Sequence, residues 1–277
     1  MNYLKKIIKY ILPFGISSIW SDIKNKELQN NRAARLEEYS RLYAKELNKH
    51  KLYNYEESIR ILVSKDLNEN EIRSGSIPEK DLIFLTSGLI KYFNDHEKLS
   101  LLHIGNFVGV SLCYMTNFVR HVHEESLVVA IDPNMEHRGI INPEVYVKTL
   151  ISNFQLDKNI LLVDAFSLEK NLKNDGGVLY ISDTGIQIEN GCSHALNNFA
   201  KIATNKFDIC MIDGNHESGY LFNEINSALP LMKLGGFIVL DDILYWEDVK
   251  IVFNKLQTEK NFRLITSNER IGIIRVL

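Results

Sequence analysis

Between Ser17 and Gly75 the chain has neither glycine nor proline, and only five prolines serve all 277 residues. A stretch that long without the two residues that interrupt regular structure excludes a loop-rich N-terminal region and predicts helices. Cysteine is scarce too. Cys113, Cys192 and Cys210 form no C-x-x-C pair and leave an odd thiol, which argues against a disulfide framework and for reduced thiols packed inside a cytoplasmic protein. No run approaches the ~18 apolar residues of a membrane span. Positive charge is not in excess: 32 Lys and Arg against 35 Asp and Glu leave a net charge of −3, which excludes nucleic-acid binding through a broadly basic surface. There is no internal repeat and no low-complexity tract. What is present, 45% hydrophobic residues over this length, is enough for one large core plus an extension.

The first residues, "MNYLKKIIKYILPFGISSIW", are not a signal peptide by pattern, since Lys9 interrupts the apolar part and no small-residue cleavage site follows. Leu4, Ile7, Ile8, Ile11 and Leu12 fall at helical spacing with Lys5, Lys6 and Lys9 off the stripe, and Pro13 and Gly15 end the helix. Such a helix docks on its own domain or a second subunit, or lies on an anionic membrane surface. Residues 23 to about 64 are charged with a helical period, and Leu36, Tyr39, Tyr43 and Leu47 form a stripe that covers the main domain or a dimer mate. The expected organisation is a helical N-terminal extension over residues 1–80, a turn-rich joint at "RSGSIPEKD", and a domain over 81–277 that opens with a helix from about Asp81 to Phe93. A homo-oligomer is expected from the same stripe.

From Leu99 onward, apolar runs at 99–104, 126–131, 159–163, 207–212 and 236–240 alternate with helical stretches, the pattern of buried parallel strands joined by helical crossovers. The end, "NFRLITSNERIGIIRVL", reads as an antiparallel hairpin about "SNER". The fold class is α/β, a Rossmann-like doubly wound sheet of about seven strands with an antiparallel last strand. The segment 171–192 is too long and glycine-rich for a plain connection and is expected to cover the site or contact a partner.

In open α/β sheets ligands sit beyond the carboxyl ends of the strands. The first strand ends in "LLHIGNFVGVSL", where Gly105 and Gly109 bracket Asn106, Phe107 and Val108. The middle glycine of G-x-G-x-x-G is missing and no Lys or Arg stands by for phosphate, so the turn suits a cofactor with an amino-acid end. Asn106 and Ser111 are its polar contacts. Asp132, ending "VVAIDPN", can accept the hydroxyls of a ribose. Asp164 can accept from an adenine amino group at "LLVDAF", with Ala165 and Phe166 beside the ring. A loop, a ribose acceptor and an adenine acceptor on successive strand ends describe S-adenosylmethionine.

On these motifs, together with "FDICMIDGNHESGY" and "MKLGGFIVLDDI", residues 99–277 resemble class I S-adenosylmethionine-dependent methyltransferases. Within that superfamily they most resemble the branch of metal-dependent macrolide-sugar and aminocoumarin O-methyltransferases and catechol O-methyltransferase. His103 departs from the pattern: the family usually has Glu or Asp there, contacting the methionine amino group. The resemblance implies that His103 occupies the cofactor site with less charge compensation.

The fourth and fifth strands end in "MIDGNH" and "IVLDD", so Asp213, Asp241 and Asp242 should meet at one sheet edge. Three carboxylates in one place need a cation or protons, and oxygen-only ligands point to Mg²⁺, or to Ca²⁺ or Mn²⁺. The resemblance implies the same ligand set. A divalent ion would lower the pKa of a coordinated hydroxyl, with His216, or else Asp213, taking the proton. His216 could equally be a loop histidine that orients a carboxylate, and Asp241–Asp242 could cap the helix that follows. Cys192 and His194 lack further ligands at zinc spacing.

The expected activity is methylation of a hydroxyl on a sugar, glycan or secondary-metabolite acceptor. The alternatives are a hydroxylase-like enzyme or a non-catalytic glycan-assembly protein on the same fold, the latter favoured by His103. Base methylation is disfavoured, because the loop "DGNH" lacks the Asn-Pro-Pro-aromatic signature and no Pro-Cys pair exists. If the first helix works at a membrane, full-length protein will sediment with anionic vesicles and a chain lacking residues 1–15 will not; full-length protein that stays in the supernatant ends that reading.

Overall fold

The structure, a computed structural model, describes residues 53–93, 97–168, 180–182, 185–187 and 195–277. The expected first helix, the stripe at Leu36 to Leu47, most of the 171–192 segment, Cys192 and His194 lie outside them. Within the described residues the chain forms α1 (Tyr55–Val63), α2 (Glu69–Gly75), α3 (Glu79–Leu89, continued by a 3-10 turn), β1 (Ser100–Ile104), α4 (Val110–Val122), β2 (Leu127–Asp132), α5 (Pro143–Asn153) and β3 (Ile160–Asp164). There follow β4 (Tyr180–Ser182), β5 (Gly185–Gln187), α6 (Leu196–Ile202), β6 (Phe207–Ile212), α7 (Ser218–Ala228), β7 (Met232–Leu240), α8 (Glu247–Leu256), β8 (Phe262–Ser267) and β9 (Gly272–Val276).

Seven strands form one sheet in the order β3-β2-β1-β6-β7-β9-β8, and β4 pairs with β5 in a separate two-stranded ribbon. The first five of the seven run parallel, whereas β9 runs antiparallel to both β7 and β8. This is the doubly wound sheet with an antiparallel last strand that the apolar runs predict. The strand order reverses between β1 and β6, so the crevice for a ligand opens there.

Strand alternation divides the core into two faces. Leu102, Ile104, Cys210, Ile212, Ile238 and Leu240 join one apolar cluster with Leu196 of α6, Leu221 and Ile225 of α7, and Val252 of α8. The opposite face carries Leu101, His103, Ala130, Met211 and Val239, all fully buried. β6 is buried at every position, as a central parallel strand should be. β3 differs: it lies at the sheet edge, and its Leu161 remains 59% exposed. Cys113 and Cys210 are both buried, and burial pushes both thiols up, which keeps them unreactive. No helix among the described residues is long and apolar enough to cross a membrane.

Residues from His50 to Leu277 form one compact unit. α1 and α2, which the sequence groups with the extension, belong to that unit: Tyr53, just before α1, meets Tyr114 and Phe118 of α4 edge to face. α2 is capped by Asn68, whose side chain accepts from Asn70 N at 2.8 Å, and Arg73 on its last turn pairs with Glu56 and Glu69.

His103 sits inside the sheet core, with neither ring nitrogen hydrogen-bonded to protein. Burial pushes its pKa down to about 4, and the nearby Asn106 side chain opposes this only in part. The ring is therefore neutral in the fold, while in the unfolded chain it titrates near its ordinary 6.5. Below that value the unfolded chain takes up a proton that the fold refuses, so His103 lowers stability progressively from about pH 6.5 to about pH 4, and not further. The full loss is on the order of 3 kcal/mol. Urea melts across that range should show this slope in the wild type and a flatter one in His103→Leu.

Candidate active site

The turn after β1 is fixed by two neighbours. Gly105 N donates to Ile131 O at 3.0 Å, and the backbone turns through φ +87°. A Cβ on Gly105 would lie 1.8 Å from the carbonyl oxygen of Asp213, so the β1 and β6 loops touch backbone to backbone. Gly109 turns through φ +90°, and its bare Cα faces Val147 of α5. Asp132, at the end of β2, ties the turn down: its carboxylate accepts from Asn106 N at 2.5 Å, Phe107 N at 3.3 Å and Asn134 N at 2.6 Å. Asn134 Nδ2 in turn donates to Asp164 Oδ1 at 3.2 Å, linking the ends of β2 and β3.

Beyond these strand ends opens a cavity of about 550 Å³, within the range that holds a nucleoside-sized ligand. Of the residues predicted for the site, Gly105, Asp132, Phe166, Asp213, His216 and Asp242 line it. The others stand off its wall. His103 lies in the core, Asn106, Ser111, Ala165 and Asp241 are buried, Gly109 packs on α5, and Asp164 is exposed. Asp132 retains lone pairs beside those its three backbone donors use, and Phe166 offers a ring face, so this end fits a ribose and a base.

The reacting end holds the acidic group. β6 and β7 pair in parallel with Ile212 opposite Leu240, which brings Asp213 beside Asp241. Asp242 takes a left-handed turn, φ +56°, directly after β7. In an extended strand two successive side chains diverge; this turn lets both reach the same partner. That partner is Arg270. Its Nε and Nη2 donate to Asp241 Oδ1 and Oδ2 at 2.8 and 2.7 Å, and Nη2 lies 3.2 Å from Asp242 Oδ1. His216 Nε2 lies 3.3 Å from Asp242 Oδ2, and its ring stacks on Trp246 with centroids 5.1 Å apart.

The electrostatics separate the three acids. Burial, reinforced by the charge of Asp241, holds the Asp213 carboxyl well above the usual carboxylate range, against the pull of Arg270. Burial also raises Asp241, with Arg270 opposing. For Asp242 burial acts upward but is outweighed by His216 and Arg270, so its carboxyl lies below the ordinary value. The expected metal ligands therefore meet, but the positive charge among them is a guanidinium. Both oxygens of Asp241 are taken by Arg270, and no group of three His, Cys, Asp or Glu among the described residues is arranged to hold a metal ion. As arranged, these residues do not fit a divalent cation.

Sequence reading passed over Arg270 although it stands in the quoted "SNER" turn. The missing step was the register: β9 lies antiparallel to β7 with Gly272 opposite Leu240, which sets that turn beside Asp241. It also passed over Trp246, and over a polar group on the cleft wall where Ser167 Oγ meets Tyr220 Oη at 2.9 Å and donates to Glu224. Burial pushes Glu224 up to about 7. Tyr220 and Glu224 are four residues apart on α7, a spacing that places both on one helical face.

A family model described as a methyltransferase domain matches residues 102–243, and the chain belongs to that family. Among solved structures, an O-methyltransferase from Bacillus cereus in complex with SAH is 12% identical, with a TM-score of 0.52 over 81% of this chain and 90% of that one. The SAH-bound methyltransferase PaMTH1 of Podospora anserina is 12% identical at a TM-score of 0.52, over 96% of this chain and 98% of its own. The O-methyltransferase TomG of Streptomyces achromogenes, in complex with SAM, is 12% identical at 0.52, over 80% and 88%. At such identities the likeness establishes the shared class I methyltransferase fold. Comparison with curated proteins finds no match.

Gly105→Ala should cost more than about 2 kcal/mol, since the left-handed backbone is strained for alanine and the methyl group meets the Asp213 carbonyl. A denaturation midpoint equal to the wild type's would show that the two loops can part freely.

Proposed function

We propose that the chain is an S-adenosylmethionine-dependent O-methyltransferase whose acceptor is a hydroxyl of a sugar, glycan or related secondary metabolite. The observation that carries this reading is the arrangement of one cavity at the sheet's switch point. Asp132 and Phe166 line one end, and His216, held between Asp242 and Trp246, lines the other. The methyltransferase family and fold support it. S-adenosylmethionine, when bound, supplies a methyl group on a sulfonium centre. Asp132 would hold the ribose hydroxyls and Phe166 would flank the adenine.

The protein's own task is to orient the acceptor oxygen and remove its proton. Asp242 faces Nε2 of His216, which leaves Nδ1 as the nitrogen to receive that proton. Trp246 fixes the imidazole plane by stacking and is 53% exposed, so it also offers an aromatic face at the mouth of the cleft on which a sugar ring can lie. His103, the feature that favoured a non-catalytic reading, is fully buried and does not line the cleft.

Isothermal titration should show S-adenosylmethionine binding to the wild type and, with little change, to His216→Ala. Turnover of an acceptor by that variant should fall by about 10²–10⁴-fold. A wild-type protein that binds no S-adenosylmethionine would sink the reading.

A further inference from the structure

We propose that Arg270 is the resident cation of this site, taking the place a divalent metal ion would have among Asp213, Asp241 and Asp242, so that the chain needs no metal. The consequence for acceptor choice rests on the methyl transfer proposed above; the occupancy of the acids by Arg270 does not.

Three observations carry it. First, the contact is a fork: two guanidinium nitrogens meet the two oxygens of buried Asp241 at 2.8 and 2.7 Å, the geometry that matches a carboxylate edge most fully. A Mg²⁺ or Mn²⁺ ion held by that carboxylate edge at roughly 2.1 Å would need the place the guanidinium occupies, and the guanidinium charge would repel it. Second, the same Nη2 reaches Asp242 Oδ1, while the other oxygen of Asp242 faces His216, so that acid is also engaged on both sides. Third, the turn is built to deliver this side chain. Asn268 Oδ1 accepts from Arg270 N at 2.8 Å and Ile271 N at 2.6 Å, Asn268 Nδ2 donates to Asp81 Oδ1 of α3 at 2.7 Å, and Arg270 O accepts from Ile243 N at 2.9 Å. Arg270 is thus braced by α3 on one side and the β7 loop on the other, with its side chain only 17% exposed.

The substrate class follows. A metal of this kind recognises two adjacent oxygens that fill two coordination sites. A site closed by a guanidinium makes no such demand, and a single hydroxyl presented to His216 suffices.

The direct test is titration of the full-length protein with Mn²⁺, followed by electron paramagnetic resonance. Wild-type protein is expected to bind no stoichiometric Mn²⁺. Arg270→Gln, which frees the Asp241 oxygens, should bind it at least about tenfold more tightly, and Arg270→Lys, which keeps a charge, should stay closer to the wild type. Circular dichroism reports whether each variant folds; if Arg270→Gln does not, the wild-type and Arg270→Lys titrations decide. Stoichiometric Mn²⁺ on the wild type, lost in Asp241→Asn, would overturn the proposal, and so would a folded Arg270→Gln with no gain. Titration of S-adenosylmethionine with and without a chelator separates the two readings. Binding that needs the metal defeats this one alone, whereas absent binding defeats the proposed function and leaves the Mn²⁺ result standing.

Discussion

The approach of Gly105 to the carbonyl of Asp213 constrains everything around the cleft. β1 and β6 are adjacent parallel strands, separated by about 4.8 Å. The chain leaving β1 turns toward α4 on one face, and the chain leaving β6 turns toward α7 on the other. At the point of parting the two backbones touch, and only a residue without a Cβ can stand there. The contact fixes where Asp213 begins its loop, and Asp132 fixes the other side of the turn through the amides of Asn106 and Phe107. The floor of the cavity is therefore backbone held by backbone, and the side chains that do chemistry project from a rigid rim.

The second constraint is charge. Placing three carboxyl groups on neighbouring strand ends is costly unless something compensates, and here one guanidinium pairs with Asp241 and Asp242 while burial holds Asp213 toward its protonated form. Breaking such a buried pair by removing one partner costs about 3–5 kcal/mol, because the remaining charge is left in poor solvent. This makes the C-terminal hairpin more than an edge. β9 completes the sheet, and the turn before it neutralises the acids that β6 and β7 bring together. The left-handed backbone at Asp242, tolerable for an aspartate, is what lets one arginine serve two successive acids.

Much of this was legible in the sequence because it was local. The apolar run at 207–212 is β6 residue for residue, the "SNER" turn is a hairpin, and the strand-end acids Asp213, Asp241 and Asp242 do converge. What was illegible depended on register and on long-range packing. Arg270 could be counted but not placed until β9 was known to lie against β7. His103 occupies a motif position whose usual residue contacts a ligand, and here it is fully buried as a neutral ring. Asp132 was read as a ribose acceptor. The structure gives it a second task, capping the turn with three backbone donors, and leaves the first role to its remaining lone pairs. α1 and α2 joined the main unit through Tyr53 and the aromatic side chains of α4, contacts between residues some sixty positions apart that no local period reveals.

A guanidinium in place of a metal also changes what the rest of the site must do. A divalent ion both orients an acceptor oxygen and lowers its pKa by direct coordination. Arg270, with its fork committed to Asp241 and Asp242, supplies no coordination site. Its field acts through the two acids it binds, and above all through Asp242, whose carboxyl it helps to keep ionised. That ionised carboxylate is what faces His216. The charge network thus runs from Arg270 through Asp242 to the imidazole, and under the proposed methyl transfer the work of activating an acceptor would fall to a histidine with an anionic partner. Orientation must then come from shape: the stacked Trp246 and His216 rings on one side and the Ser167–Tyr220–Glu224 wall on the other. Under the proposed function, a site organised this way would select its acceptor by fit to an aromatic face and a polar wall, not by the chelating power of the acceptor's oxygens.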